Sequence, residues 1–211
     1  MLGSFRQNEK YCSKEGTLQE LGVKPMNSGQ KRCLVDLTDE ILRNPKRPAC
    51  DIALDCPGSA PVYVQYHRGL DKLSAAALER TIKGDNSAPE VIYIFGPPGS
   101  GKTRYARERE SDIYDVPADD SYKWKDGYHG HEAVLYDNIS SRSLTSLPRF
   151  LKEIDRYPVR VSVKGGFTLW KPKRIYITAL EEPDVFARVF DHPVEFQRRV
   201  MKRAACDEIG V

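Results

Sequence analysis

The 211 residues carry a net charge of +3, with 40% hydrophobic and 30% charged residues. This is the balance of a globular chain long enough for one well-buried domain and an appendage. No apolar run approaches the roughly 20 residues that span a bilayer, and the start MLGSFRQNEK has no signal-peptide core, so neither a membrane partner nor secretion is expected. The five cysteines (Cys12, Cys33, Cys50, Cys56, Cys206) are odd in number and contain no C-x-x-C pair. They argue against a disulfide framework or a metal cluster, and for reduced thiols in a nuclear or cytoplasmic setting.

Along the chain, residues 1–36 read as a polar start, a helical fragment KEGTLQEL and a Gly/Asn/Ser turn, too little to bury a core. Residues 37–88 read as a linker with helical pieces. LTDEILRN is a short helix candidate, NPKRPACDIALDCPGSAP a Pro/Cys/Gly/Ser-rich connection, and Tyr66 to Lys83 a helix with leucines at 70, 73 and 78. Residues 89–211 change to an α/β texture. Strands are predicted at 91–95, 133–137, 159–163 and 174–178, separated by helix-competent stretches around 103–110 and 144–155. Strand–helix alternation implies a mainly parallel sheet covered on both faces.

The first of these strands, VIYIF, runs into Gly96-Pro97-Pro98-Gly99-Ser100-Gly101-Lys102-Thr103 and then a helix-compatible RYARERE. This is the phosphate-loop pattern G-x-x-x-x-G-K-[ST] in its working context. Glycines let successive N–H groups turn towards phosphate oxygens, and the following helix adds its positive dipole end. Lys102 is expected to reach the β and γ phosphates, and the Thr103 hydroxyl to hold Mg²⁺. Val134-Leu135-Tyr136-Asp137 follows, with Asp137 placed 35 residues after Lys102. A strand delivering an Asp to the mouth of a phosphate loop is the Walker B arrangement, so ATP and Mg²⁺ are the expected cofactors.

From Arg156 to Arg174 there are six basic residues and no acid. Arg160, Lys164, Lys171 and Lys173 are interleaved with Tyr157, Phe167 and Trp170 around Lys164-Gly165-Gly166. The pattern suits a β-hairpin with Lys164 at its tip, cations for phosphates and aromatic faces for unpaired bases. A solvated hairpin would carry the same charges. Near the end, Arg198 and Arg199 lie on an expected helix, EFQRRVMKR, as an arginine finger or as a basic helix face.

In order, GPPGSGKT, KWKDGYHG, VLYDN, RYPVRVSVKGG, RIYIT and FQRRV resemble the superfamily 3 helicase domain of replication-associated proteins from circular single-stranded DNA viruses, such as circoviruses and cycloviruses. Tyr11-Cys12-Ser13-Lys14-Glu15-Gly16 resembles the tyrosine motif of that family's HUH endonuclease, with Tyr11 as nucleophile and Lys14 beside it. The resemblance implies an α/β P-loop NTPase, an AAA+-like superfamily 3 core, preceded by a small helical N-terminal segment. Residues 1–36 would be the C-terminal remnant of the endonuclease domain, 37–88 a linker and helical oligomerisation segment, and 89–211 the ATPase domain. It further implies a homo-oligomer, a hexamer, that acts on single-stranded DNA (or RNA) in rolling-circle replication, in the host nucleus or the cytoplasm. Lys102, Asp137 and Asn138 would be catalytic, Lys164 the residue contacting DNA, and Arg199 or Arg198 the arginine finger.

Three departures qualify the resemblance. The family's metal-binding His-x-His pair precedes the tyrosine motif, whereas His129-Gly130-His131 follows it and reads as an ordinary loop; DNA cleavage is therefore not expected. A second acid usually follows the Walker B Asp, but Asn138 stands here, and an amide can hold a water without taking its proton. The family's polar sensor asparagine is replaced by Leu180, which cannot hydrogen-bond. Two readings therefore stay open: an ATP-driven helicase, and a remnant that binds ATP and nucleic acid with little turnover. A small P-loop kinase is a third, in which the Lys-Gly-Gly hairpin has no place.

Overall fold

A computed structural model describes residues 29–205 with the exception of 141, 145 and 191; the Tyr11 motif lies outside the described residues. The chain begins with α1 (Gly29–Arg43), α2 (Ala49–Asp55) and α3 (Ala60–Ile82), followed by β1 (Glu90–Phe95) and α4 (Lys102–Arg109). Next come β2 (Ile113–Asp115), a 3₁₀ turn (Asp119–Tyr122), β3 (Ala133–Ile139), α5 (Leu147–Glu153), β4 (Val159–Val163) and β5 (Gly166–Trp170). β6 (Arg174–Ala179), α6 (Pro183–Ala187), α7 (Pro193–Arg199) and β7 (Val200–Ala205) complete the described part. The main sheet has the order β2-β3-β6-β1-β7, and all its pairings are parallel.

The central strands are apolar because both sheet faces are covered. Alternation then divides their side chains. Val91, Tyr93, Val134, Tyr136, Ile175 and Ile177 pack into one core with Phe150 of α5, Phe186 of α6 and Phe196 of α7. Ile92, Ile94, Ala133, Leu135 and Tyr176 face the other way, against Ala106 of α4. The first core is aromatic: Tyr93 meets Phe196 edge-on at 6.0 Å between centroids, and Phe190 stacks on Phe196 at 5.2 Å. Such pairs add about 0.5–1.5 kcal/mol beyond area burial.

Among the described residues, one ion pair is buried on both sides. Lys125 Nζ lies 3.0 Å from Glu153 Oε2, with both side chains almost completely buried. Glu153 also accepts from the Tyr136 hydroxyl at 2.6 Å and from Arg149 Nε at 2.8 Å. The Lys125 ammonium stands over the Tyr136 and Trp170 rings. Burial pulls its pKa below the ordinary lysine value, against the opposing attraction of Glu153. Removing one partner of such a pair costs about 3–5 kcal/mol, because the other charge stays buried and alone.

The helical segment differs from its sequence-based expectation. α1 is nearly twice as long as the LTDEILRN candidate, α3 starts at Ala60 instead of Tyr66, and the expected linker contains α2. The i, i+3, i+4 spacing of Ala49, Ile52 and Ala53 buries one face of α2 against Leu37, Ile41, Val62 and Leu70. That packing outweighs the flanking prolines and cysteines. Residues 36 and 37, where the sequence suggested a division, both lie in α1.

The helical segment is tied to the α/β part through the loop 127–132. Lys46 pairs with Glu132 at 2.5 Å, and the Ser74 hydroxyl lies 2.9 Å from His129 Nε2. Gly130 takes φ +73, and a Cβ there would come within 2.6 Å of Leu78 Cδ1, so glycine permits the close approach. The His-x-His pair is thus a packing loop, as its sequence reading expected. Among the described residues no group of His, Cys, Asp or Glu could hold a metal ion, and no helix is long and apolar enough to cross a membrane.

Burial, with a smaller contribution from His131, lowers the His129 pKa below 6.5. The unfolded chain therefore binds more protons below its own histidine pKa, so stability present above about pH 6.5 is lost as pH falls. Urea unfolding at pH 7.5 and 5.5 should show a loss at the lower pH that is smaller in His129→Gln. The carboxylates that the fold holds low, Asp85, Glu110, Glu132 and Asp155, titrate below this window. An identical loss in both proteins would contradict the assignment.

Candidate nucleotide and nucleic-acid sites

The phosphate loop joins the C-terminal end of β1 to the first turn of α4. Gly99 and Gly101 take φ +78 and +83, a region an L side chain avoids, so the turn depends on glycine. Lys102 is buried, and its ammonium donates to the carbonyls of Gly96 at 2.9 Å and Pro97 at 2.7 Å. Pro97, Pro98 and Gly99 are exposed at the mouth, and the Ser100 hydroxyl closes on the Pro97 carbonyl at 2.7 Å.

Alternation decides which strand residues reach this loop. Asp137 extends the face of Ala133 and Leu135, and Thr178 that of Tyr176; this is the face α4 covers. The Thr103 hydroxyl donates to Asp137 Oδ1 at 2.7 Å, so the two residues singled out for Mg²⁺ meet. Thr178, fully buried on the intervening β6, donates to the same oxygen at 2.7 Å and accepts from the Asn138 N–H at 2.7 Å. The sequence reading missed Thr178. Its only signal was a hydroxyl late in a strand that, apart from Arg174 and Tyr176, is apolar. The donor set of hydroxyl and carboxylate oxygens on a phosphate loop fits MgATP.

The β3–β6 register shifts between Tyr136 and Ile139, and within that irregularity Asn138 has φ +52, which Asn tolerates better than most residues. Asn138 is exposed, as is Leu180 beyond β6. Tyr122 also has a positive φ, +62, which costs on the order of 1–3 kcal/mol for a bulky residue. Its buried hydroxyl donates to the Asp137 carbonyl oxygen at 2.8 Å.

The basic segment is the expected hairpin: β4 and β5 pair antiparallel from Val159↔Trp170 to Val163↔Gly166, leaving Lys164 and Gly165 as the turn. Gly165 carries the positive φ, +94, while Gly166 is already strand. Lys164 is 71% exposed, with Asp126 at 3.6 Å and Asp119 at 4.0 Å. Phe167 and Tyr157 are exposed. Trp170 corrects the sequence reading: instead of offering a stacking face it is buried against Tyr128 and donates to the Glu153 carbonyl at 2.8 Å.

In four of the segment's five other cations the side chain has a partner within the described residues. Arg160 pairs with Glu79 at 3.0 Å, Lys173 with Glu132 at 2.9 Å, and Arg174 with Glu110. Lys171 donates to the carbonyls of Ser87 and Arg156. The helix holding Arg198 and Arg199 ends at Arg199, and the VMKR that was read as its continuation belongs to β7, beside β1. Arg198 is exposed, whereas Arg199 donates to Asp155 Oδ2 at 2.6 Å and to the Glu195 carbonyl at 2.7 Å.

Thr178→Val keeps the shape of the side chain and removes the hydroxyl that orients Asp137. A hydrogen bond to a charged group contributes about 1.5–3 kcal/mol, so Mg²⁺ affinity in the presence of nucleotide should fall about 10-fold or more. Thr178→Ser should restore it, and nucleotide binding in EDTA should change little. A Mg²⁺ titration unchanged in Thr178→Val would show that Asp137 needs no such support.

A family profile described as RNA helicase matches residues 92–179, from β1 through β6. The replication-associated protein of goose circovirus is 35% identical over 202 residues, covering 93% of this chain and 63% of that protein. That of human associated cyclovirus 1 is 32% identical over 204 residues, 94% of this chain and 70% of the relative. That of beak and feather disease virus is 34% identical over 206 residues, again 93% and 63%. The chain thus spans a little under two thirds of the length of two of these relatives. With the P-loop sheet and the ordered motifs in place, the chain belongs to the replication-associated protein family of circoviruses and cycloviruses.

Proposed function

We propose that the chain is the ATP-dependent helicase part of a viral-type replication-associated protein, moving on single-stranded nucleic acid, with DNA favoured over RNA. The observation that carries this reading is the convergence of Thr103, Asp137 and Thr178 at the mouth of a glycine-dependent phosphate loop. Bound Mg²⁺ would neutralise phosphate charge. Thr103 and Asp137 would hold it, the loop N–H groups would cradle the phosphates, and Lys102 would exchange the Gly96 and Pro97 carbonyls for phosphate oxygens.

Asn138 and Leu180 favour a second reading, a binder of ATP and nucleic acid with slow turnover. Both are exposed, Asn138 directly after Asp137 and Leu180 two residues after Thr178, and neither can accept a proton from water. Measured ATP turnover, with and without single-stranded DNA, separates the readings. In a hexamer, Arg198 is the freer candidate for a finger reaching a neighbouring subunit, since Arg199 is held by Asp155.

On the hairpin, Lys164 and Phe167 supply a phosphate contact and a stacking face. Exposed ion pairs such as Arg160–Glu79 and Lys173–Glu132 contribute only about 0.2–1 kcal/mol, so both cations can exchange their carboxylates for phosphates. Lys171, turned onto two carbonyls, serves the fold.

Lys102→Ala should abolish binding of a fluorescent ATP analogue, and unchanged affinity would refute the nucleotide site. Lys164→Ala should weaken binding of single strands irrespective of sequence and reduce the salt slope by about 0.7, while ATP affinity stays the same. Equal single-strand binding by both proteins across a salt titration would reduce the hairpin to a solvated turn.

A further inference from the structure

The segment from Tyr122 to Asp126 touches both proposed sites. At one end the buried Tyr122 hydroxyl donates to the main-chain carbonyl of Asp137 at 2.8 Å. At the other, Asp126 Oδ1 accepts the Lys164 N–H at 2.5 Å and Oδ2 lies 3.6 Å from the Lys164 ammonium. Between them, Trp124 bridges to Ser162 of β4, and the Lys125 N–H donates to the Ser162 carbonyl at 3.0 Å. Five residues thus run from the backbone of the proposed metal-binding carboxylate to the tip of the proposed nucleic-acid hairpin.

The segment is held taut. Tyr122 is kept at φ +62 while its carbonyl accepts from the Lys125 ammonium, and Lys125 is fixed in turn by Glu153. A bulky residue keeps such a backbone only where its surroundings over-determine it. The Lys164 ammonium is mostly exposed and can exchange Asp126 for a phosphate. That exchange takes the ion pair from Asp126, which keeps the Lys164 N–H, and so loosens one end of a strained segment whose other end grips Asp137.

We propose that Tyr122–Asp126 is a strap that couples occupancy of the Lys164 hairpin by single-stranded nucleic acid to the position of Asp137, and so to Mg²⁺–nucleotide binding, with Tyr122 as a positioning residue. The inference rests on the function proposed above. Coupling of this kind is reciprocal: nucleotide must change single-strand affinity by the factor by which the single strand changes nucleotide affinity.

The test is the affinity of a labelled oligothymidylate, by fluorescence anisotropy, with and without Mg²⁺ and a non-hydrolysable ATP analogue. The ratio of the two affinities is the readout. Wild type should show a ratio of about 5-fold or more. Tyr122→Phe removes one hydroxyl and keeps the ring beside Tyr136, 5.7 Å away; it should bring the ratio close to one. Asp126→Ala, at the partly exposed end, should do the same even though it changes the single-strand affinity itself, and the double variant should lose nothing more. Thermal midpoints identify a variant that has failed to fold, and the other then decides. A wild-type ratio retained in a folded Tyr122→Phe, or a wild-type ratio of one with both ligands bound, would overturn the strap. Failure of either ligand to bind wild type would instead overturn the functional reading, and the strap with it.

Discussion

Asp137 is the residue on which three parts of the fold converge. Thr103 reaches it from the helix after β1, Thr178 from β6, and the Tyr122 hydroxyl grips its main-chain carbonyl from a distant loop. The strand order makes this possible. Because β6 lies between β1 and β3, the phosphate loop and Asp137 stand one strand apart, and a hydroxyl from the intervening strand closes the gap. A carboxylate held by two hydroxyls is preorganised for a hard cation, so little rearrangement is needed when the charge arrives.

Behind the site, the opposite face of the same strands is packed with aromatic rings, and Tyr136, next to Asp137, is among them. Its hydroxyl is committed to Glu153, and that carboxylate also takes Lys125 and Arg149. The buried charge is compensated on several sides, which is the condition under which such a pair is tolerated. Lys125 belongs to the stretch that also reaches the hairpin, through its own N–H on the Ser162 carbonyl and through Asp126 on Lys164.

Much of the α/β part was legible in the sequence because parallel strands buried on both faces leave continuous apolar runs. VIYIF, AVLYD and RIYIT were found to within two residues, and Lys-Gly-Gly marked its turn. The edge strands were not legible. β2 is three residues long, and VMKRAA is charged, as strands paired on one side often are. α2 was hidden by prolines and cysteines around its short apolar face. At the candidate site, motif spacing pointed to Lys102, Thr103 and Asp137, the last two of which the fold brings together, since glycine turns and strand ends leave marks in a sequence. Thr178 left only the mark of a polar residue late in its strand, and Tyr122 and the burial of Trp170 left no mark, because each follows from which strand lies beside which.

A crystal structure with Mg²⁺ and a non-hydrolysable ATP analogue tests the account most directly. The account predicts the metal on the Thr103 hydroxyl and on Asp137, directly or through water. It places the Lys102 ammonium on phosphate oxygens in place of the Gly96 and Pro97 carbonyls, with Asp137 still accepting from Thr178. A nucleotide bound elsewhere, or an Asp137 carboxylate turned away from both Thr103 and Thr178, would contradict it.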